Sequence, residues 1–155
     1  MTKWDNPVDT PGEWQREHLR RYLETDGAEG HLWNLPWAEL RSSPDAPTLL
    51  LTTRGRRSGK PRRTPLIYGR DGDRYLVVAS AGGSPQHPSW YLNLVAGPRV
   101  HVQVRGERFE ADARTATDQE KPRLWQVMAG IWPAYDEYQT KTDRQLPVVI
   151  LEPVA

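Results

Sequence analysis

The sequence predicts an α+β fold in which a mostly antiparallel sheet, closed into a small barrel, carries helices at its edges. Short apolar or alternating runs separated by tight turns recur from Thr48 to the end of the chain, which is typical of hairpin-connected strands. Helical periodicity is confined to one segment before these strands and two among them. Because strand and helix do not alternate regularly, a doubly wound parallel sheet is not expected.

Length and composition exclude several classes of protein. The chain has 155 residues and a net charge of +1, so it is long enough for one core and has no overall field that would attract nucleic acid. It contains no cysteine, and its four histidines lack metal-ligand spacing, so we expect no metal site. Neither a signal peptide nor an apolar run of spanning length is apparent, which makes the cytoplasm the expected address.

The predicted organisation is a polar arm over residues 1–12 followed by a single domain over 13–155. A helix is expected over residues 11–27, because Trp14, His18 and Tyr22 recur at intervals of four and Gly27 follows the last turn. Three strands should follow, in "TLLLTTR", "RTPLIYGR" and "RYLVVASAGG", and "DGD" at 71–73 indicates a tight hairpin between the last two.

The second half of the chain continues the pattern. "HPSWYLNLVAGP" predicts a short helix with Pro88 in its first turn and Gly97 at its end. Residues 99–116 alternate as two strands that turn at 105–107. A second helix is expected over 117–132, where Thr117 and Glu120 have capping-box spacing, and "LPVVILEPV" reads as a closing buried strand.

The loop between the first two strands, residues 54–63, is here called the arginine turn. Six of its ten residues are cationic, and Gly55, Ser58 and Gly59 lie among them. Guanidinium groups, a hydroxyl and flexible backbone amides together suit a phosphate or carboxylate ligand. The alternative is a solvated hairpin tip whose charge keeps the sheet edge soluble.

Residues 79–84, "ASAGGS", form a second candidate element, here called the glycine loop. Its glycines would let a ligand approach the backbone, and the helix that follows offers amides at its N-terminus. Trp132, Tyr135 and Tyr138 are a third candidate, either as the edge of the core or as the wall of a substrate pocket. Neither a P-loop, a dinucleotide-binding glycine motif nor a nucleophile elbow is present.

Four ordered blocks of the sequence resemble the deazaflavin-dependent nitroreductases, group A of the coenzyme F420-dependent oxidoreductases. They are "RRYLETDGAEGHLW", "LLLTTRGRRSGKPRRTPL", "VVASAGGSPQHPSWYLNLVAGPRV" and "WPAYDEYQTKTDRQLPVVILEP". The resemblance implies a split β-barrel related to the flavin-mononucleotide-binding fold. It also implies that reduced F420, a long anionic coenzyme, delivers hydride. Our hypothesis is that the acceptor is a quinone or an activated nitro or enone compound.

The resemblance also implies roles for individual residues. The residues expected to bind the coenzyme are Arg56, Arg57, Ser58, Lys60, Arg62, Arg63, Thr64, Pro65, Ala79, Ser80, Gly82, Gly83, Trp90, Tyr91 and Asn93. Ile67, Trp132, Tyr135 and Tyr138 would border the substrate. Independently of the resemblance, Ser80 and either Tyr135 or Tyr138 are our candidates for catalysis, because a neutral tyrosine can donate a hydrogen bond or a proton to the oxygen that gains charge.

Three positions depart from the family pattern. Ala81 stands where many relatives have lysine, Trp132 replaces the first tyrosine of the aromatic trio, and Ile67 occupies a place that is often tyrosine. Reduction of nitroimidazoles is therefore not implied for this chain. The alternatives are a reductase of the same fold that uses flavin mononucleotide (FMN), and a non-catalytic protein that binds the coenzyme. A quinone acceptor would bring the protein transiently to the inner face of the plasma membrane, without an anchor.

Overall fold

The computed structural model describes residues 4, 8–9, 20, 23–24, 32–33 and 46–154. The strands of this part of the chain are β1 (Val8–Asp9), β2 (Leu32–Trp33), β3 (Ala46–Arg54), β4 (Pro61–Ile67), β5 (Gly69–Asp71), β6 (Arg74–Val78), β7 (Arg99–Val104), β8 (Glu107–Thr115) and β9 (Val148–Pro153). The helices, named here in the same way, are α1 (Ser89–Ala96), α2 (Lys121–Ile131) and α3 (Ala134–Thr140). A short 3-10 turn, Ala81–Gly83, precedes α1.

The described strands form one sheet with the order β1-β4-β3-β7-β8-β9-β6-β5, and β2 pairs with β3 beside this path. Among these pairings only that of β1 with β4 is parallel. The last strand, β9, lies between β8 and β6 and so joins the two halves of the sheet. This topology has the antiparallel, hairpin-rich character expected from the sequence.

The core lies on both faces of the β6–β9 pair. On one face, Leu76 and Ile150 pack with Leu124 and Met128 of α2 and with Leu146. On the other face, a second cluster fills the interior of the barrel; it contains Leu49, Leu51, Val77, Val102, Val149 and, from α1, Trp90 and Leu94. Because successive residues of a strand point to opposite faces, both faces of these strands must be apolar, which explains the run "VVIL" in β9.

Most of the local predictions are confirmed. The hairpin at residues 71–73 turns at Gly72, whose φ of 63° is the left-handed conformation such turns require. Thr117 and Glu120 form the reciprocal bonds of a capping box, from the Thr117 amide to the Glu120 carboxylate at 3.0 Å and from the Glu120 amide to the Thr117 hydroxyl at 3.2 Å. The helix predicted over 117–132 spans Lys121–Ile131, because the capping-box residues form a turn before its first residue.

Three elements differ from the prediction. The expected strand over 63–70 is interrupted between Ile67 and Gly69, and the strand expected over 74–83 ends at Val78, where the glycine loop begins. Helix α3 was not predicted, because its seven residues carry no helical apolar stripe and follow Pro133; that proline instead lies at the N-cap, where a missing amide hydrogen does no harm.

The predicted first helix, residues 11–27, lies largely outside the described residues. Arg20, Leu23 and Glu24 of this segment are helical, and Leu23 packs against Leu50 of β3. The predicted arm, residues 1–12, is described at Trp4 and at β1. Trp4 is buried and donates from its indole nitrogen to Glu110 at 2.8 Å, and β1 pairs with β4, so the arm contacts the barrel at both points.

None of the helices in the described part of the chain is long and apolar enough to cross a membrane.

Candidate functional site

The arginine turn is an ordered loop between β3 and β4. The Gly55 amide donates to the Lys60 carbonyl and the Gly59 amide donates to the Gly55 carbonyl, both at 2.8 Å, and Arg54 Nη1 donates to the Gly59 carbonyl at 2.7 Å. A Cβ on Gly55 would lie 2.8 Å from Ser58 Oγ and 3.1 Å from the Lys60 oxygen, so glycine lets this loop fold without crowding.

The cations of this turn face solvent. Arg56, Arg57, Lys60 and Arg62 are exposed, and among the described residues none of these four has a carboxylate partner. By contrast, Arg74, Arg99, Arg114 and Arg123 elsewhere on the barrel each pair with Asp or Glu. Neighbouring cations repel one another. A cluster of them without acidic partners is therefore best stabilised by an external anion.

A pocket of about 220 Å³ opens between this turn and helix α1; its lining residues are Gly55, Arg56, Arg57, Ser58, Arg62, Ser89 and Asn93. Ser89 is the first residue of α1, so the helix N-terminus and its amides lie at the pocket. Asn93 fixes α1 to the turn: its Oδ1 accepts from the Arg56 backbone at 3.2 Å and from Arg56 Nη1 at 2.9 Å. Its Nδ2 donates to Thr53 Oγ1 at 3.2 Å.

The remaining predicted binding residues of β4 lie close behind the turn. Arg63 and Thr64 are half-buried and Pro65 is buried. They pair across the sheet with Thr52, Leu51 and Leu50 of β3. None of them lines the 220 Å³ pocket.

The glycine loop adopts an unusual backbone path. Ala81, Gly82 and Gly83 all have positive φ, at 47°, 64° and 84°. A Cβ on Gly83 would lie 2.5 Å from the Tyr138 carbonyl and 3.1 Å from Cβ of Lys141, so the loop packs tightly against the end of α3. Ala79 is buried and Ser80 is half-buried. This contact brings Gly83 next to Tyr138, two predicted site residues that are 55 positions apart in the printed sequence.

Trp90 and Tyr91 point in different directions from α1. Trp90 is 8% exposed and belongs to the core inside the barrel. Tyr91 is half-buried, its hydroxyl lies 2.8 Å from Thr115 Oγ1, and its ring centroid lies 4.8 Å from that of His87. Trp90 therefore anchors the helix, whereas Tyr91 stands at its surface between His87 and Thr115.

The four predicted substrate residues lie together, and three of them are buried. Trp132, Tyr135 and Ile67 are 2%, 5% and 8% exposed in the core cluster around α2, while Tyr138 is half-buried beside it. The Trp132 indole nitrogen donates to the Tyr138 hydroxyl at 3.4 Å, and the rings of Tyr135 and Tyr138 meet edge to face at 6.1 Å. Of this group, Tyr138 is the one that solvent reaches most readily.

Tyr135 is a buried phenol. Burial raises the pKa of its hydroxyl well above the ordinary value of 10.0, and the neighbouring Tyr138 adds to the rise. Within the described residues its hydroxyl has no hydrogen-bond partner. Such an orphaned polar atom is costly unless another group satisfies it.

The structure thus brings the predicted residues into two groups. Of the predicted residues, Arg56, Arg57, Ser58, Arg62 and Asn93 line the pocket, whereas Lys60 does not. The glycine loop meets Tyr138 at the end of α3. Sequence reasoning missed Thr53, which orients Asn93, and Arg144, which donates hydrogen bonds to the glycine loop. No local signal marks either residue, because their partners lie 40 or more positions away.

The architecture is a split antiparallel barrel with an exposed cationic turn beside the N-terminus of α1. A family model described as F420H(2)-dependent quinone reductase matches residues 14–153. The chain is 42% identical over 139 residues to the F420H(2)-dependent quinone reductase Rv1261c of Mycobacterium tuberculosis (strain ATCC 25618 / H37Rv), covering 88% of this chain and 87% of that protein. This chain belongs to the F420H(2)-dependent quinone reductase family.

Two solved structures are similar as well. One is described as an F420-H2 dependent reductase, FDR-A; it has 43% identity and a TM-score of 0.64, covering 68% of this chain and 93% of its own. Another, described as a domain-swapped dimer, has 39% identity and a TM-score of 0.66, covering 92% of this chain and 100% of its own.

Family membership confirms the main predictions made from the resemblance. The split-barrel fold, the class of F420-dependent oxidoreductase and coenzyme F420 as the cofactor all agree with it. The FMN alternative finds no support in these relatives, whose names specify F420H(2).

Proposed function

We propose that this protein is an oxidoreductase that uses reduced F420 to reduce a quinone, and that its arginine turn holds the anionic end of the coenzyme. The observation that carries the proposal is the ring of cations at the pocket. Arg56, Arg57 and Arg62 line it, and among the described residues they have no carboxylate partner.

The residues present fit a long anionic group. Arg57 and Arg62 would bind phosphate or carboxylate oxygens by charge-assisted hydrogen bonds, while Ser58 and the first amides of α1 would add neutral donors. Lys60, Arg63 and Thr64 would extend the same surface along the start of β4, and Pro65, which is buried, would support it from below. Asn93 holds Arg56 in place, so that its guanidinium is oriented before the ligand arrives.

The opposite end of the site would be formed by the glycine loop and Tyr91. Gly82 is exposed and has no side chain, so a ligand could approach the backbone of the loop closely at this position. Ala79 and Ser80 lead into this loop from β6. When bound, the reduced coenzyme supplies the hydride; the protein has to orient the acceptor next to it and exclude water.

Tyr135, Tyr138 and Ser80 are the groups we propose for the acceptor oxygen. Because burial raises the pKa of Tyr135, its hydroxyl keeps its proton throughout the physiological range and can donate a hydrogen bond to an oxygen that gains charge. It would release the proton only when that oxygen becomes the stronger base. Because this hydroxyl has no hydrogen-bond partner among the described residues, it is available to the acceptor. Since Trp132 and Ile67 are buried beside it, they would shape the acceptor pocket from behind, and Tyr138 would border its entrance.

A quinone acceptor also bears on location and assembly. We propose that the protein acts in the cytoplasm and meets membrane quinones at the inner face of the plasma membrane.

Nucleic acid is not an expected partner, since acidic and basic residues nearly balance. The related structure described as a domain-swapped dimer makes a dimer worth testing by light scattering.

The direct experiment mixes the protein with reduced F420 and follows the absorbance of the coenzyme while menadione is added. We expect menadione-dependent oxidation that saturates with both reactants. Absence of coenzyme binding would refute the proposal. Binding without turnover across a panel of quinones and nitroarenes would identify a non-catalytic coenzyme-binding protein, and turnover of nitroarenes alone would replace quinone with nitro reduction.

A further inference from the structure

Arg144, in the segment between α3 and β9, has an unusual set of hydrogen-bond partners. Its guanidinium donates to the carbonyls of Ala79 at 3.1 Å, Ser80 at 2.9 Å and Ser84 at 3.1 Å, and to Nδ1 of His87 at 2.8 Å. The first three are the beginning and end of the glycine loop. Arg144 thus connects both ends of the glycine loop with His87, which precedes the N-cap of α1.

Arg144 is a half-buried cation. Its partners in the described part of the chain include no carboxylate, and desolvation lowers the pKa of its guanidinium from the ordinary value of 12.5. Removing a cation from water without an ion pair is unfavourable, so the four bonds have to offset that loss. A planar fork of five N–H donors can reach several carbonyls at once, which the single ammonium of lysine cannot do.

The contact to His87 also determines the protonation of that ring. Arg144 Nη1 can only donate, so Nδ1 of His87 has to accept and carries no proton. His87 is therefore neutral and has its proton on Nε2. Burial, together with the charge of Arg144, lowers the pKa of His87, which agrees with this state. The neutral ring packs against Tyr91 of α1, with 4.8 Å between the ring centroids and an angle of 42° between the ring planes.

We propose that Arg144 is a positioning residue of the coenzyme site, which holds the glycine loop and the His87–Tyr91 pair in one fixed arrangement. The inference rests on the proposed function. The hydrogen-bond partners of Arg144 are the glycine loop and His87, just before α1. The two core clusters, by contrast, consist of packed apolar side chains. Without this clamp, the loop residues Ala81, Gly82 and Gly83, which have positive φ, would sample other conformations, and the coenzyme would have to order them on binding.

The test compares Arg144→Gln and Arg144→Lys with a control, Arg99→Gln, which removes one charge from an arginine on β7 outside the pocket. Three quantities are measured: the dissociation constant of F420, the KM for menadione, and the nitrogen-15 NMR signals of His87 in protein without coenzyme. The His87→Gln variant assigns these signals among the four histidines.

We expect Arg144→Gln to weaken F420 binding by about tenfold or more, the loss expected for one or two bonds from a charged donor. The KM for menadione should change less than the dissociation constant of F420, because Ser80 is the only proposed acceptor residue that lies in the loop. His87 should lose its single Nε2–H tautomer and titrate at higher pH than in the wild type. Arg144→Lys should fall between the wild type and Arg144→Gln in binding, and Arg99→Gln should match the wild type in all three measurements. Should Arg144→Gln fail to fold, Arg144→Lys carries the same comparison, because it keeps the charge and some of the bonds.

Wild-type F420 affinity in either Arg144 variant would overturn the inference, as would a wild-type His87 with its proton on Nδ1. Failure of the proposed function looks different. In that case the wild type itself would not bind F420, while the tautomer of His87 in the coenzyme-free protein would still report whether the clamp exists.

Discussion

The side-chain oxygen of Asn93 accepts two hydrogen bonds from Arg56, one from the backbone amide at 3.2 Å and one from Nη1 at 2.9 Å. Asn93 is 2% exposed and lies in helix α1, whereas Arg56 is exposed in the turn between β3 and β4. A buried amide therefore fixes the position of a cation that lines the pocket. The geometry of the proposed coenzyme site depends on this pair.

Replacing Asn93 by alanine should separate the helix from the turn. We expect Asn93→Ala to lower the free energy of unfolding by about 1–3 kcal/mol, because a buried partner is lost, and to weaken F420 binding as well. Thr53→Val is the matched control: it removes the 3.2 Å bond from Asn93 Nδ2 but leaves both bonds to Arg56. It should reduce stability and leave F420 affinity near that of the wild type. Equal loss of affinity in both variants would contradict a specific role for the Asn93–Arg56 pair.

The two glycines of the 3-10 turn provide a second matched comparison. Gly82→Ala introduces a Cβ at a φ of 64° with no atom within 4 Å, so it should cost about 1–2 kcal/mol of unfolding free energy. Gly83→Ala has a φ of 84° and would also place Cβ 2.5 Å from the Tyr138 carbonyl, which is backbone and cannot move freely. It should therefore be the more destabilising by about 1–3 kcal/mol. Denaturant unfolding measures both, and similar losses in the two variants would show that the loop does not pack on α3 in this way.

The role of Tyr135 can be tested by removing its hydroxyl alone. Because this group has no hydrogen-bond partner in the described part of the chain, Tyr135→Phe should leave the free energy of unfolding within about 1 kcal/mol of the wild type, or raise it. If the hydroxyl serves the acceptor, kcat with menadione should fall by roughly a hundredfold, as for loss of a general acid. Steady-state kinetics at saturating F420 decide the matter. Unchanged kcat in this variant would remove Tyr135 from the mechanism and leave Tyr138 and Ser80 as candidates.

The stability of the fold should depend on acid pH through two carboxylates. Hydrogen bonds from Arg114, followed by those from Thr117, lower the pKa of Glu120 from 4.5 to about 2, and Arg123 and Arg74 lower the pKa of Asp71 well below its ordinary range. Because both pKa values are lower in the folded state, this stabilisation is complete above the unfolded values and is lost as the pH falls towards the folded ones.

Thermal unfolding between pH 7 and pH 3 tests this dependence. The midpoint should fall as the pH drops below about 4.5, and it should fall less steeply in Glu120→Gln. Glu137→Gln, an exposed position of α3 that forms no ion pair within the described residues, is the control and should follow the wild type. A wild-type slope in Glu120→Gln would mean that the ion pair with Arg114 does not form in solution.

The parts of the fold that could be predicted are those with a local cause. Gly72 in a hairpin and the Thr117–Glu120 capping box each involve residues within three positions of one another, and both appear as expected. The arginine turn was visible for the same reason. Helix α3 was missed because its stability comes from Ala134 and Tyr135 packing into the core, which leaves no stripe in so short a segment.

The site was less predictable for a different reason. Arg144 reaches carbonyl oxygens 60 or more positions away, and every residue has such an oxygen, so no residue type marks the partner. Likewise, the spacing of Trp132, Tyr135 and Tyr138 fits a core edge and a pocket wall equally well. The structure shows which of the three are buried, and their part in binding a substrate stays a prediction.

The affinity of F420 for Arg57→Ala/Arg62→Ala tests the central claim most directly. Both guanidinium groups line the pocket, so we predict that the dissociation constant rises by at least tenfold, and that salt weakens F420 binding less steeply than in the wild type because fewer charges are involved. Arg99→Ala/Arg123→Ala removes the same charge from outside the pocket and should bind like the wild type. Wild-type affinity in Arg57→Ala/Arg62→Ala, or an equal loss in both double variants, would contradict the assignment of the arginine turn as the coenzyme site.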